Sequence, residues 1–242
     1  MATKSSDKQD LPKRFYTQVQ VSASEQGWRI ELDGRPVRTP SKAELRVPGE
    51  ALARHVAAEW DAQATVIDPA TMPLTRLVNV ALDRTPETRE ALADEVARYT
   101  ETDLVCHLAE NPVELRERQE ANWRPLRDWA GKTLDVMLVP VEGIIASPQP
   151  AASTQAARDH AMKLDDLRLT GLVWATGLYG SAILALAVEQ GEIDAEDAFE
   201  RSRIDEAWQI EQWGEDEEAR LATENRRADA RALGQLFATL PR

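Results

Sequence analysis

The hydrophobic pattern of this chain changes period once, near Pro48, and that change limits the folds open to it. Before Pro48 the apolar residues recur every second position, as in strands; after it they recur every three to four, as in helices. Phe15, Thr17, Val19 and Val21 alternate with Tyr16, Gln18 and Gln20. Trp28, Ile30 and Leu32 alternate again after a loop carrying Gly27. Asp33-Gly34 is a tight-turn pair, Val37 and Thr39 fit a returning strand before Pro40, and Leu45 and Val47 fit one more. A small antiparallel sheet is expected. Leu52, His55, Val56, Glu59 and Trp60 then open a helix that starts near Pro48-Gly49-Glu50.

Two prolines, Pro69 and Pro73, interrupt the stretch from Ile67, and we take it as the connection between two domains. Everything beyond reads helical. One helix is expected from about Leu74 to Leu82, and another opens at Thr85-Pro86-Glu87-Thr88, with Leu92, Val96, Tyr99 and, further on, Leu104 along one face. A third begins at Pro112, carries Leu115, Gln119, Trp123, Leu126 and Trp129, and should bend or break at Pro125. Val136 to Ile145 reads as an extended connector. Long helices are then expected at Ser153 to Leu169, Gly171 to Glu189, Asp194 to Trp213, and Glu215 to about Ala238. The fold class is therefore α+β: a flexible tail over 1–13, a β-rich domain with one helix over 14–72, and an all-helical domain over 73–242.

Charge narrows the partners. The net charge of −13 repels phosphate backbones, so no nucleic acid is expected. A 43% hydrophobic content marks a globular chain, and the apolar run Leu172 to Val188 is too short for a membrane span and contains Gly177 and Gly180. The single cysteine, Cys106, excludes an internal disulfide and lies in an apolar run that suits a buried thiol.

No catalytic constellation emerges. His55, His107 and His160 are scattered over separate elements, and only the His55/Glu59 pair shares a face. The phosphate-cradling glycine patterns and the Gly-x-Ser-x-Gly elbow do not occur, and Gly177-Leu178-Tyr179-Gly180 sits in an apolar helical run where it serves packing. No catalytic residue, metal or cofactor is therefore expected. Acidic pairs are too common here to nominate an acid and a base.

Two features stand out. Seven tryptophans against three phenylalanines invite either core packing or interface anchoring. From Glu189 to Glu224 the chain carries 14 acidic residues against Arg201, Arg203 and Arg220. That stretch is either a solvated helix surface or an electrostatic docking face. Glu206, Gln209 and Trp213 share one helical stripe within it, and Ile204, Trp208 and Glu211 share another.

The segment Arg203-Ile204-Asp205-Glu206-Ala207-Trp208-Gln209-Ile210-Glu211-Gln212-Trp213-Gly214 resembles the C-terminal signature of the ATP synthase assembly chaperones of the ATP-twelve type. Arg14-Phe15-Tyr16, the hairpin Leu32 to Pro40, Ala58-Glu59-Trp60-Asp61-Ala62-Gln63, Met72 to Leu77 and Tyr99 to Leu104 are similar to further family segments, in the same order. The resemblance runs from about Arg14 to Phe237. It implies a β-rich domain followed by a helical one, no catalysis, no cofactor, and the unassembled alpha subunit of the ATP synthase catalytic head as protein partner. It also implies partner binding by Glu206, Gln209, Glu211 and Trp213, with Trp60 supporting the fold. The polar start, unlike an import presequence, points to a bacterial cytoplasm, or to the mitochondrial matrix for a processed eukaryotic form. With no heptad seam, a monomer is expected. The alternatives are an acidic interaction scaffold unrelated to ATP synthase and a carboxylate-dependent hydrolase.

Overall fold

The computed structural model describes residues 11–143 and 147–241; most of the expected tail, and the end of the connector at 144–146, lie outside the described residues. The architecture is α+β, and the chain divides into two compact units: Met1–Arg84 with Thr239–Arg242, and Thr85–Ala238.

The first unit holds an antiparallel sheet of β1 (Val19–Ser24), β2 (Gly27–Leu32), β3 (Arg35–Pro36) and β4 (Arg46–Val47), with β2 paired to the other three. Asp33 (φ 48) and Gly34 (φ 76) make the turn between β2 and β3. Positive φ at both positions gives the backbone twist that closes a two-residue hairpin. The Asp33 carboxylate accepts N–H bonds from Thr17 and Gln18, which hold it below the usual carboxylate range and tie the turn to the approach of β1. Ile30, Leu32, Val37, Leu45 and Val47 are buried, as are Leu52, Ala53 and Val56 of α1 (Glu50–Asp61), which packs on β1 and β2.

Strand structure begins later than the alternation suggests. Tyr16 is buried and Phe15 is 74% exposed, the reverse of an inward-facing Phe15. The cause is local chemistry at the end of α1. Arg14 donates to the carbonyls of Asp61 (2.9 Å) and Gln63, and the Tyr16 hydroxyl donates to the Trp60 carbonyl (2.6 Å). These bonds satisfy helix-end carbonyls and hold residues 14–16 against α1 instead of in the sheet. The Trp60 ring meets Tyr16 edge-on, with centroids 5.9 Å apart.

Helix α2 (Pro73–Asp83) completes this unit. Its N-terminal residue provides no side-chain cap. Glu59 reaches over from α1 instead, accepting the N–H groups of Leu74 and Thr75 and the Thr75 hydroxyl, each at 2.7 Å. Gln63 donates to the Glu59 carbonyl and the Thr71 hydroxyl and accepts the Asp68 N–H, fixing the connection between the helices. Burial raises the Glu59 carboxyl above its ordinary range despite these donors.

The second unit contains α3 (Thr85–Glu101), α4 (Val113–Leu134), α5 (Ala151–Lys163), α6 (Asp166–Tyr179), α7 (Ala182–Gln190), α8 (Ala195–Arg201), α9 (Ile204–Trp213) and most of α10 (Glu217–Thr239). Two short parallel strands, β5 (His107–Leu108) and β6 (Val141–Glu142), lie between them in the chain. Helix α7 is the axis of this core: every residue from Ala182 to Glu189 is buried, and α3, α4 and α6 pack against it. A helix apolar on all faces belongs in a core. Its one charge, Glu189, meets Arg168 at 2.5 Å and His160 Nε2 at 2.9 Å. Gly171 of α6 is a close approach: a Cβ there would fall 2.6 Å from Leu236 of α10.

Three of the long helices expected in this half are each divided. Leu164-Asp165 separates α5 from α6, Gly180-Ser181 separates α6 from α7, and Ser202-Arg203 separates α8 from α9. At the first two breaks, Asp165 and Ser181 accept from an N–H of the helix that follows, and Gly180 takes the left-handed conformation (φ 66). A capping side chain beside an apolar run restarts a helix without disturbing hydrophobic periodicity, so the pattern reads through it. Pro125 has the opposite outcome, because α4 runs unbroken through it. Ala121, whose carbonyl the proline cannot satisfy, is exposed, as are Arg124 and Pro125, so the lost bond faces water.

Asp103 is fully buried at the end of the Tyr99 to Leu104 segment, where it accepts the N–H groups of Val105 and Ile183. Burial pushes its carboxyl up to about 6. Cys106 is buried beside it, and burial raises its thiol strongly. Among the described residues, no helix is long and apolar enough to cross a membrane.

Candidate functional site

Helix α9 rests on α4, and the contact decides which of its side chains face outward. Trp123 of α4, fully buried, donates its indole N–H to the Arg201 carbonyl at 2.9 Å, fixing the chain just ahead of α9. Gln119, 1% exposed, accepts the Ala109 N–H (2.7 Å) and donates to the Asp205 carboxylate (2.6 Å). Burial raises the Asp205 carboxyl, which is the cost of this inward position. Arg118 forms a two-pronged bond to Glu211 (2.7 and 3.0 Å) while its guanidinium lies 5.0 Å from the centre of the Trp208 ring. That pair holds Glu211 below its ordinary range. Ile204 is buried and anchors the start of the helix.

Glu206, Gln209 and Trp213 face solvent along one stripe. Trp213 is 79% exposed, the most exposed large hydrophobic side chain among the described residues. Among the described residues, the only ion pair of Glu206 is a long one to Arg203 at 3.8 Å. From Asp205 to Glu218 the chain carries seven acidic residues and no basic one. The four residues singled out for binding therefore fall into two groups. Glu206, Gln209 and Trp213 are available to a partner, whereas Glu211 is already engaged by Arg118. Trp60 belongs to the first unit, where its carbonyl and ring support Tyr16.

Arg118, Gln119 and Asp205 were not singled out from the sequence. A polar residue on the apolar stripe Leu115, Gln119, Trp123, Leu126 was the available signal for Gln119. Nothing local announces Arg118, whose partner lies 93 positions further on.

A cleft of about 700 Å³ opens beside Asp205, lined also by His107, Glu110, Asn111 and Gly143. Among the described residues, no group of three or more His, Cys, Asp or Glu side chains is placed to hold a metal ion.

The fold recurs in known proteins. The family model described as ATP12 chaperone protein matches residues 13–131. The crystal structure of Atp12 from Paracoccus denitrificans is 41% identical, with a TM-score of 0.85 over 94% of this chain and 98% of that one. This chain belongs to the ATP12 chaperone family. The crystal structure of the Atu1473 protein of Agrobacterium tumefaciens gives a TM-score of 0.89 at 41% identity, over 96% of this chain and 87% of that one. The mitochondrial protein atp12 of Schizosaccharomyces pombe is 28% identical over 219 residues, covering 86% of this chain and 75% of that protein. The ATP12 family model covers the α1–α2 corner and most of α4 but stops short of α9. The platform beneath the face thus matches it more directly than the face itself.

Proposed function

We propose that this protein is an assembly chaperone for the catalytic head of the proton-translocating ATP synthase, holding the unassembled alpha subunit and shielding its subunit interface. Membership of the ATP12 chaperone family carries the reading. The outward stripe of α9 supplies a physical means. An unassembled ring subunit exposes apolar surface that promotes aggregation. A holder that must later yield to the true neighbour is well served by one aromatic anchor, Trp213, inside a field of carboxylates. The charges orient and speed the encounter, and the single anchor limits affinity. Glu206 and Gln209 flank the anchor directly. Glu211 acts through Arg118, keeping Trp208 and the helix in place. The protein acts as a monomer in a bacterial cytoplasm, with no cofactor and no bond-making step.

The test is to mix purified protein with isolated alpha subunit, then measure complex mass and the light scattering of the alpha subunit on dilution from denaturant. A one-to-one complex and suppressed scattering are expected. Aggregation of the alpha subunit at the same rate with and without this protein would overturn the reading.

A further inference from the structure

The segment Val136 to Pro140 has the geometry of a strand lacking a partner on one edge. Its side chains alternate: Val136 and Leu138 are buried, while Met137 and Val139 are 63% and 47% exposed. Its backbone alternates as well. The N–H and C=O of Met137 both bond the Ser153 hydroxyl (3.0 and 2.8 Å), and those of Val139 both bond the Gln149 amide (2.7 and 3.0 Å). Two side chains thus stand in for a neighbouring strand along one edge. On the opposite edge, the Val136 N–H reaches the Ala130 carbonyl at the end of α4 (3.1 Å). Leu138, next along that edge, finds no hydrogen-bond partner for its N–H or C=O among the described residues, although it is only 7% exposed. Unpaired N–H and C=O groups along a strand edge are a template for another strand, so the open pair here points to one supplied from elsewhere.

The space beside that edge fits one. A cleft of about 510 Å³ lies between the second half of α4 and this segment, and Leu138 and Pro140 form part of its wall. Gly131 keeps it narrow at one end, since a Cβ there would fall 2.9 Å from Met137. The charges at its mouth differ from those of α9. Arg127 is committed to Glu120, but Lys132 has no ion pair among the described residues. Arg124 holds Asp128 only loosely, at 3.9 Å with both well exposed.

From this juxtaposition of an open strand edge, two outward apolar side chains and two loosely held cations, we propose that the cleft binds an extended segment of the client polypeptide by strand addition at Leu138. Strand addition draws affinity from main-chain bonds and specificity from alternate side chains. The fitting segment places apolar side chains over Met137 and Val139 and a carboxylate near Lys132 and Arg124. The inference rests on the chaperone reading, with the alpha subunit as client.

Amide hydrogen exchange of the full protein, alone and with excess alpha subunit, tests it directly. The Leu138 amide should exchange rapidly in the free protein and at least tenfold more slowly in the complex. A Met137→Glu/Val139→Glu variant, altered only at exposed positions, should bind alpha subunit at least tenfold more weakly while unfolding at the wild-type urea concentration. Lys132→Glu should weaken binding by a smaller factor that vanishes at high salt. Absence of any complex with wild-type protein would defeat the chaperone reading itself. A complex in which Leu138 exchanges as fast as in the free protein would defeat the strand-addition proposal alone. Protection of Leu138 that grows with the concentration of this protein alone would also overturn it, because a second copy would then be the occupant. If the double variant does not fold, exchange in the wild-type protein still decides.

Discussion

Two carboxylate-bearing regions of this molecule use the same chemical group for opposite ends. In the first unit, Glu59 turns inward, and its oxygens accept two N–H groups and a hydroxyl at the start of α2. On α9, Glu206 turns outward, held loosely by Arg203, on the stripe of a tryptophan that is 79% exposed. The donors that the fold supplies to the inward carboxylate offset its desolvation only in part, since its carboxyl stays above the ordinary range. The outward one keeps its hydration and its charge. Residues that look alike in a sequence signature therefore divide into those that build the molecule and those left facing water, which we propose meet the partner.

Glu59→Ala is the largest test of that division. Removing the acceptor leaves the first N–H groups of α2 buried and unpaired, and a loss of about 3 to 4 kcal/mol in unfolding free energy is expected. Urea denaturation measures it. Alpha-subunit binding per folded molecule should be unchanged. A variant as stable as wild type but deficient in binding would place Glu59 in the binding group and break the comparison.

Asp103 extends the inward class to pH. Its carboxyl sits near 6 in the folded protein and near the ordinary ~4 when unfolded, so folding takes up a proton between those values. This group therefore favours the folded state most at low pH, and the contribution fades as pH rises through 6. It changes by about 2 to 3 kcal/mol between pH 4 and pH 7.5. Asp103→Asn removes the titration. The stability gap between wild type and this variant, read from urea curves, should shift toward the variant by that amount as pH rises. A gap constant across the range would mean the carboxyl is not raised.

Much of the α+β order was legible because hydrophobic period survives in the sequence: Ile30 and Leu32 of the sheet and Leu115, Trp123 and Leu126 of α4 lie where alternation or helical spacing puts them. The helix breaks were not, because Asp165 and Ser181 act through one hydrogen bond each and leave the apolar count of α6 and α7 intact. Phe15 and Tyr16 exchanged roles for a similar reason, since Arg14 and the Tyr16 hydroxyl engage carbonyls 44 to 49 positions away. On α9, the outward stripe of Glu206, Gln209 and Trp213 could be read from spacing alone. Its division from Glu211 could not, because that depends on Arg118.

Trp213→Ala tests the outward class. With the indole in water, stability should change by less than about 0.5 kcal/mol. Alpha-subunit affinity should fall by about 2 kcal/mol, or roughly thirtyfold, as for the loss of an interface anchor. Calorimetric titration of the two purified proteins checks the affinity. An unchanged affinity would leave the exposed indole without a part in the contact.

The finest distinction lies within α9 itself. Glu206→Lys should slow association with alpha subunit several-fold at low salt, a cost of about 1 kcal/mol, with little change in dissociation, because an exposed charge acts mainly through steering. Glu211→Lys should act by another route. It breaks the two-pronged bond and leaves a second cation beside Arg118, loosening Trp208 and α9 before any partner arrives. The exchange Arg118→Glu/Glu211→Lys restores opposite charges and should recover most of the binding lost with Glu211→Lys alone. Glu206 has no equivalent rescue among the described residues, where Arg203 holds it only at 3.8 Å. Stopped-flow association rates at two salt concentrations separate the cases. If the exchange restores nothing, Glu211 touches the partner directly, and the boundary between building and meeting residues moves one helical turn along α9.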